Sequence, residues 1–421
     1  MTDSWQEKKL VEVCRKVSKT KPEDLSRPTF SYIDIGSVDS VGHHVAIPQL
    51  LPVGSAPSRA RQLVAFGDTI FSTVRPYLLN IAWVGEELDG EIASTGFCVL
   101  RADTAQLLPK FLHLFCCSDL LLDQVLPLQR GVSYPAVRDS DVLSASVPLP
   151  PLAEQQRIVK ILEEQFSRLD AALASIRTVR EKAAAFRQSL LHAAFSGGIA
   201  DRVEVHGDLP PRWTQFNLGD VVEFLSGYAF KSEWYVPDGV RLVRGQNISH
   251  GRLDWADARS ISPTRASTFK RFDLNVGDLV LAMDRPLIST GLKWAVLREE
   301  DVPSLLLQRV VRLTVMETEM APKFLQYWIQ SPFFMTGINP GRSIGVPHIS
   351  TKELGSLSLF LPSLGEQHNI VSILDEQFSL LDAALVVTSQ LEARIASERR
   401  SLLHAAFSGT LTTQWRETNH G

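Results

Sequence analysis

The sequence predicts an α+β protein made by duplication. Two α+β bodies are each followed by a long helix, and the helices pair as an antiparallel coiled coil related by a pseudo-twofold. Three observations carry this. Residues 154–197 return as residues 366–409 at a constant offset of 212, with 26 identities over 44 gapless positions. Apolar residues in both copies recur at alternating steps of four and three. The stretch before each copy alternates short β-like runs with turn signals, and the two stretches echo each other only faintly.

The repeated segments are helices. EQQRIVKILEEQFSRLDAAL and EQHNIVSILDEQFSLLDAAL follow the proline-marked turns VPLPPLAEQ and LFLPSLGEQ. The first seam is Leu162, Phe166, Leu169, Leu173 and Ile176; the second is Leu374, Phe378, Leu381 and Leu385, with Thr388 next. Arg180 and Glu392 roughen the middle, and Gly197 and Gly409 supply the stops. Helices of about 40 residues span about 60 Å. Such a stripe needs another helix to cover it, and two copies in one chain cover each other most economically when antiparallel.

The bodies match in order rather than in detail. FSYIDI, TIFSTV and NIAWV answer VRLVR, DLVLAM and LKWAV as strands. PKFLHLFCCSDLLLDQV and PKFLQYWIQSPFFM read as short amphipathic helices of one register. Gly67-Asp68 answers Gly277-Asp278, and Arg75-Pro76 answers Arg285-Pro286. The resulting plan is a first body over 1–150, a first long helix over 151–200, a second body over 201–360, a second helix over 361–411 and a tail over 412–421.

Composition excludes several classes. With 421 residues, 44% hydrophobic and 21% charged, the chain can bury more than one core. No apolar run reaches the roughly 18 residues a membrane span needs. The polar start MTDSWQEKKL is not a secretory signal. Cys14, Cys98, Cys116 and Cys117 have no metal-ligand spacing and read as reduced core thiols of a cytoplasmic protein. There is no [DNS]PP[YF] methyltransferase motif and no GxxxxGK[ST] loop, so no cofactor, metal or catalytic residue is expected. His192 and His404 recur within an apolar helix end and read as packed core histidines. A net charge of −4 argues against indiscriminate coating of nucleic acid and leaves room for local basic sites.

Together the duplicated layout and its motifs resemble the specificity subunit of type I restriction–modification systems. P-L-P-P-L-A-E-Q-x-R-I-V, the downstream L-D and the closing L-L-x-A-x-F-x-G carry the likeness. So do the pre-helix strings GVSYPAVRDSDVLSASVPLPPLAEQ and GRSIGVPHISTKELGSLSLFLPSLGEQ. The resemblance covers essentially the whole chain. It implies two target-recognition domains separated by an antiparallel coiled coil, each reading half of an interrupted target on double-stranded DNA. It also implies two adenine methyltransferase subunits on the helices, motor–nuclease subunits joining for cleavage, and no catalysis by the chain itself.

Bases would be read where cations and amides cluster. Arg241, Arg244, Arg252, Arg259, Arg265, Lys270 and Arg271 crowd 31 residues against only Asp254 and Asp257, with Gln246 and Asn247 among them. Amides can read adenine and arginine can read guanine. The first body offers Lys19, Lys21, Arg59 and Arg61, spread among acids. Arg130 with Tyr134, and Arg342 with Ser343, sit on glycine-containing loops before the helices, where backbone can approach phosphates. Arg75 and Arg285 read as shared fold rather than shared chemistry. Two rival readings are a scaffold without DNA readout and the recognition half of a methyltransferase or nuclease with an unrecognised centre.

Overall fold

The computed structural model describes residues 5–131, 134–198, 213–288, 291–338 and 348–419. The chain divides into two compact units. One joins Met1–Arg177 to Thr388–Gly421, and the other is the continuous stretch Thr178–Val387. Each unit therefore holds one body, the opening part of the helix that follows it, and the closing part of the other helix.

In each unit the strand that opens the body pairs antiparallel with the strand that precedes its helix. These pairs are Gln6–Lys9 with Ser146–Leu149, and Thr214–Asn217 with Ser358–Leu361. The central hairpin partners are also duplicated. Thr69–Ser72 lies between Phe97–Ala102 and Ile81–Trp83, and Leu279–Ala282 lies between Val310–Val315 and Trp294–Val296. The expected strands thus form, within one or two residues of their predicted bounds. Their apolar runs lack alternation because both faces are covered. Phe71 enters one core of the first body and Ile70 another; Leu281 and Val280 divide in the same way in the second.

PKFLHLFC forms the helix Pro109–Cys116, and PKFLQYW forms Pro322–Trp328, each with proline in its first turn. Phe111 and Phe115, four apart on one helix face, both meet Phe407 edge-on at 5.1 and 5.4 Å. Phe324 meets Phe195 at 5.0 Å. The end of each long helix is therefore seated on the body of its unit.

The long helices run Leu152–Phe195 and Leu364–Phe407, 44 residues each. Their pairing is antiparallel in each unit taken separately. Leu162, early in the first helix, shares a core with Leu403 and Phe407, late in the second. Leu374 and Phe378, early in the second, share a core with Leu191 and Phe195, late in the first. The seam residues Leu162, Ile176, Leu374 and Phe378 are buried. Burial of each such side chain stabilises by about 1.5–3 kcal/mol. Gly197 and Gly409, at φ of 85° and 79°, take the left-handed conformation that ends a helix. The histidines correct an expectation. His192 and His404 are exposed, and His192 stacks flat on Phe333 at 5.2 Å. They lie beside the seam rather than on it, where the helix turns outward.

The E-Q pair that opens each repeat has a structural task that its sequence does not announce. Gln155 is fully buried; its oxygen accepts from Leu108 N at 2.8 Å and its nitrogen donates to the carbonyls of Gln106 and Pro150. Gln367 makes the same three bonds to Ala321, Glu319 and Pro362. Glu154 and Glu366 accept from the indoles of Trp5 and Trp213, at 3.0 and 3.1 Å. Each long helix is thus pinned at its start to its own body.

The tail closes on the same point. Thr413–Asn419 is helical, and Arg416 pairs at 2.5 Å with Glu154, whose side chain is wholly buried. Thr412 donates to the same carboxylate.

All four cysteines are free thiols. Burial pushes the thiols of Cys14 and Cys117 up to about 12, so they stay protonated and inert. No single helix among the described residues is long and apolar enough to cross a membrane. One bent pair, Pro109–Cys116 with Asp119–Leu128, has the composition, and its Phe111, Phe115 and Leu121 are core residues of the first unit.

Candidate nucleic-acid interface

The arginine-rich stretch of the second body is divided by the fold into an inner and an outer set. Strand Val240–Val243 feeds a loop in which Arg244 donates to Asn247 Oδ1 at 3.2 Å and to the Asp257 carboxylate at 2.9 Å. That guanidinium holds the Asp257 carboxyl below the usual carboxylate range. Asn247 is 2% exposed, and its amide donates to the carbonyls of Asp254 and Asp257. Arg241 lies 4.3 Å over the ring of Trp255 and donates to the Glu300 carbonyl. Arg259 pairs with Asp257 at 2.9 Å. Asn247, expected to read bases, is instead part of the loop's own hydrogen bonding, and Arg241 and Arg244 largely share that task. Local polarity draws the amide inward because the loop's carbonyls need donors.

Gln246, Arg252, Arg265, Lys270 and Arg271 are exposed and form the outer set. Arg265 lies 4.5 Å over the ring of Trp234, beside the aromatic cluster of Tyr228, Phe230 and Phe269.

In the first body Lys19, Lys21 and Arg59 are exposed, and Arg61 is half-buried with its guanidinium on the Ala60 carbonyl. The fold brings two of them close: Lys19 bridges to Gln62, and Thr20 N donates to the Arg61 carbonyl. Arg130 is paired with Asp141 at 2.5 Å and holds that carboxyl down. Tyr134 is 71% exposed. Arg342 and Ser343 lie outside the described residues.

Two residues read from the sequence as shared fold carry unusual backbone, as His43, Leu79 and Arg309 also do. Arg75 and Arg285 have φ of 47° and 43°. A side-chain-bearing residue pays about 1–2 kcal/mol for that conformation. Both arginines follow the buried central strand of their body and precede a proline. The Arg75 guanidinium lies 4.8 Å over the Tyr134 ring. Beside Arg285, Asp284 bonds Arg309 at 2.6 Å and lies 2.7 Å from His348 Nδ1. The only sequence signal was the repeated Arg-Pro step, which shows position and not strain. Among the described residues no group of three or more His, Cys, Asp or Glu converges as a metal site.

A family model described as the type I restriction modification DNA specificity domain matches residues 2–177 and, a second time, residues 210–385. The chain belongs to this family. Each matched copy of the specificity domain comprises one body and the opening of its long helix, so the internal duplication is a duplication of that domain. This specificity-domain chain is 41% identical over 199 residues to the EcoAI type I restriction enzyme specificity subunit of Escherichia coli, covering 47% of this chain and 33% of that one. It is 26% identical over 288 residues to the MjaVIII specificity subunit of Methanocaldococcus jannaschii, covering 67% and 66%. The matched stretches thus span from a third to two thirds of these relatives. Two solved chains align nearly end to end. One, from a type I R-M system solved for its complex assembly and conformational transition, has a TM-score of 0.72 at 28% identity, covering 96% and 97%. The HsdS subunit from Thermoanaerobacter tengcongensis has a TM-score of 0.53 at 29% identity, covering 97% and 98%.

Proposed function

We propose that this chain is the DNA-reading subunit of a type I restriction–modification complex and carries out no catalytic step itself. Each body reads one half of a bipartite double-stranded target. The paired helices dock two adenine methyltransferase subunits, and motor–nuclease subunits join that assembly for cleavage. The chain acts in the cytoplasm, where the target DNA lies.

The carrying observation is the contrast between a shared frame and divergent bodies. The specificity domain occurs twice, its helices share 26 of 44 positions, and its bodies echo each other only at scattered positions. Shared helices fit one kind of partner met twice, and divergent bodies fit two different half-sites. Exposed apolar residues on the helices of the second unit support docking there: Leu380 is 62% exposed, Val386 57% and Phe186 48%. In the second body the outer set, with Gln246 and Arg252 foremost, reads base edges, a role its exposure supports.

The test is reconstitution. The chain alone is expected to leave adenines in target DNA unmodified. Adding the methyltransferase subunit restores methylation at a split site, with two copies bound per chain. Methylation by the pure chain, or assembly that saturates at one partner per chain with both helices intact, overturns the reading. Gln246→Ala is expected to relax one half-site only, by about 1–3 kcal/mol of discrimination.

A further inference from the structure

The strained arginines occupy one place in a frame that both bodies build identically. In the first body Val137 N donates to Thr73 O and Thr73 N to Gly96 O; in the second, Ile349 N donates to Met283 O and Met283 N to Arg309 O, all at 2.9 Å. Val74 bridges Ala136 as Asp284 bridges His348. These bonds superpose Arg75 on Arg285 without reference to side chains.

Around that fixed point, three features recur or diverge in a telling way. First, the left-handed arginine itself recurs, although glycine would hold the turn without strain. Backbone strain of this kind persists where function requires the side chain. Second, the residues after the proline are large, apolar and exposed in both bodies: Tyr77 and Leu78 at 48% and 47%, Leu287 and Ile288 at 36% and 42%. Third, the flanking positions differ completely. Val74, Gly96 and Ala136 of the first body are replaced by Asp284, Arg309 and His348, with Asp284 bonded to both of the others.

We propose that the face headed by Arg75 in the first body and by Arg285 in the second is where each body meets DNA, the arginine holding a backbone phosphate. This rests on the reading of the chain as a DNA-reading subunit and goes beyond it by locating the contact. Phosphates are the same in every half-site, so their ligand is kept in both copies; bases differ, so the residues beside it differ. A protein partner meeting both bodies alike would have kept the neighbours as well. Charge agrees with an anionic occupant. Arg285, Arg309 and Lys293 stand in the second body against the carboxylate of Asp284; burial lowers the Lys293 ammonium pKa, Asp284 opposes that shift and Arg285 adds to it. A Cβ on Gly245 would stand 3.8 Å from Lys293 Nζ, so the loop that carries Gln246 passes beside Lys293. The exposed apolar pairs suit thymine methyl groups or a partly opened base step.

The experiment uses the full chain assembled with its methyltransferase subunits and measures affinity against salt on target duplexes and on duplexes with either half scrambled. Arg75→Gly and Arg285→Gly relieve the backbone and remove the side chain with its guanidinium. Each is expected to leave the melting temperature unchanged or raised, to weaken binding about tenfold on every sequence, and to reduce the salt slope by about one. Arg285→Lys should keep the slope. Arg309→Gly should alter preference in one half-site only. Unchanged affinity and slope in both glycine variants overturn the proposal. So does a lower melting temperature with binding per folded molecule intact, which makes the arginines structural, or loss of methyltransferase subunits, which makes the face a protein interface. If the unmodified complex protects no DNA, the DNA-reading function itself falls, and this proposal with it.

Discussion

Arg187 lies 4.3 Å over the ring of Phe378, and 212 positions on Arg399 lies 4.5 Å over the ring of Phe166. Each guanidinium also reaches a carboxylate four residues beyond the ring, Asp382 at 3.5 Å and Asp170 at 2.5 Å. The two units thus clamp their helix pairs with the same three groups. Phe378 is 3% exposed, whereas Phe166 is only half-buried. Phe378→Ala is therefore expected to destabilise the second unit by about 3–5 kcal/mol, and Phe166→Ala the first by less. Hydrogen exchange read unit by unit checks this: lost protection should fall within 178–387 for Phe378→Ala.

Glu154 is fully buried and takes donors from Trp5, Thr412 and Arg416. Removing one partner of a buried ion pair strands the other, at about 3–5 kcal/mol. Arg416→Ala should lower the stability of the first unit by about that much. Adding Glu154→Gln should recover part of the loss, since a neutral amide tolerates the gap better. Denaturant unfolding of the two single variants and the double gives the coupling directly.

Asn247 separates a loop-building amide from a base-reading one. With its side chain bonded to Asp254, Asp257 and Arg244, Asn247→Ala is expected to cost about 1–3 kcal/mol of stability in the second unit. Any loss of DNA affinity should be the same for every base at every target position. A position-specific relaxation measured on a substituted target library would place the amide against a base instead.

His113 makes the first unit acid-sensitive. Burial, with Lys110 and His43 nearby, pushes its imidazole down to about 3. The folded unit then binds fewer protons than the unfolded chain between about pH 3 and the ordinary histidine value near 6.5. Stability from this group is intact above that range and falls as pH drops through it, by at most about 1.4 kcal/mol per unit. His113→Asn should flatten the dependence of unfolding free energy on pH between 6 and 4. An unaltered slope would show that His113 is not its source.

Much of the architecture was legible because it rests on period and repetition. The steps of four and three marked Leu162 and Leu374 as seam residues, and the duplication aligned strand with strand. Legibility ended where side-chain direction decides. Nothing in Arg-Gly-Gln-Asn tells that Gln246 points out while Asn247 points in; that depends on carbonyls at 254 and 257 needing donors. The exposure of His192 follows from its angle to the seam, which an apolar neighbourhood obscured. Left-handed backbone is readable at glycine and hidden at arginine, so Arg75 and Arg285 passed as ordinary. The bond between Glu154 and Arg416 joins residues 262 apart, beyond the reach of local pattern.

The interleaved division of the chain also orders its birth. Residues 178–387 contain every part of the second unit, so that unit can close while later residues are still being made. The first unit cannot, although its body emerges first. Leu162 and its neighbours remain without Leu403 and Phe407 until those residues leave the ribosome. The usual sequence of folding during synthesis, N-terminal part first, is thereby inverted. A nascent chain halted before residue 388 would carry a finished second unit and an unsealed first one, with the apolar stripe of its opening helix open to chaperones.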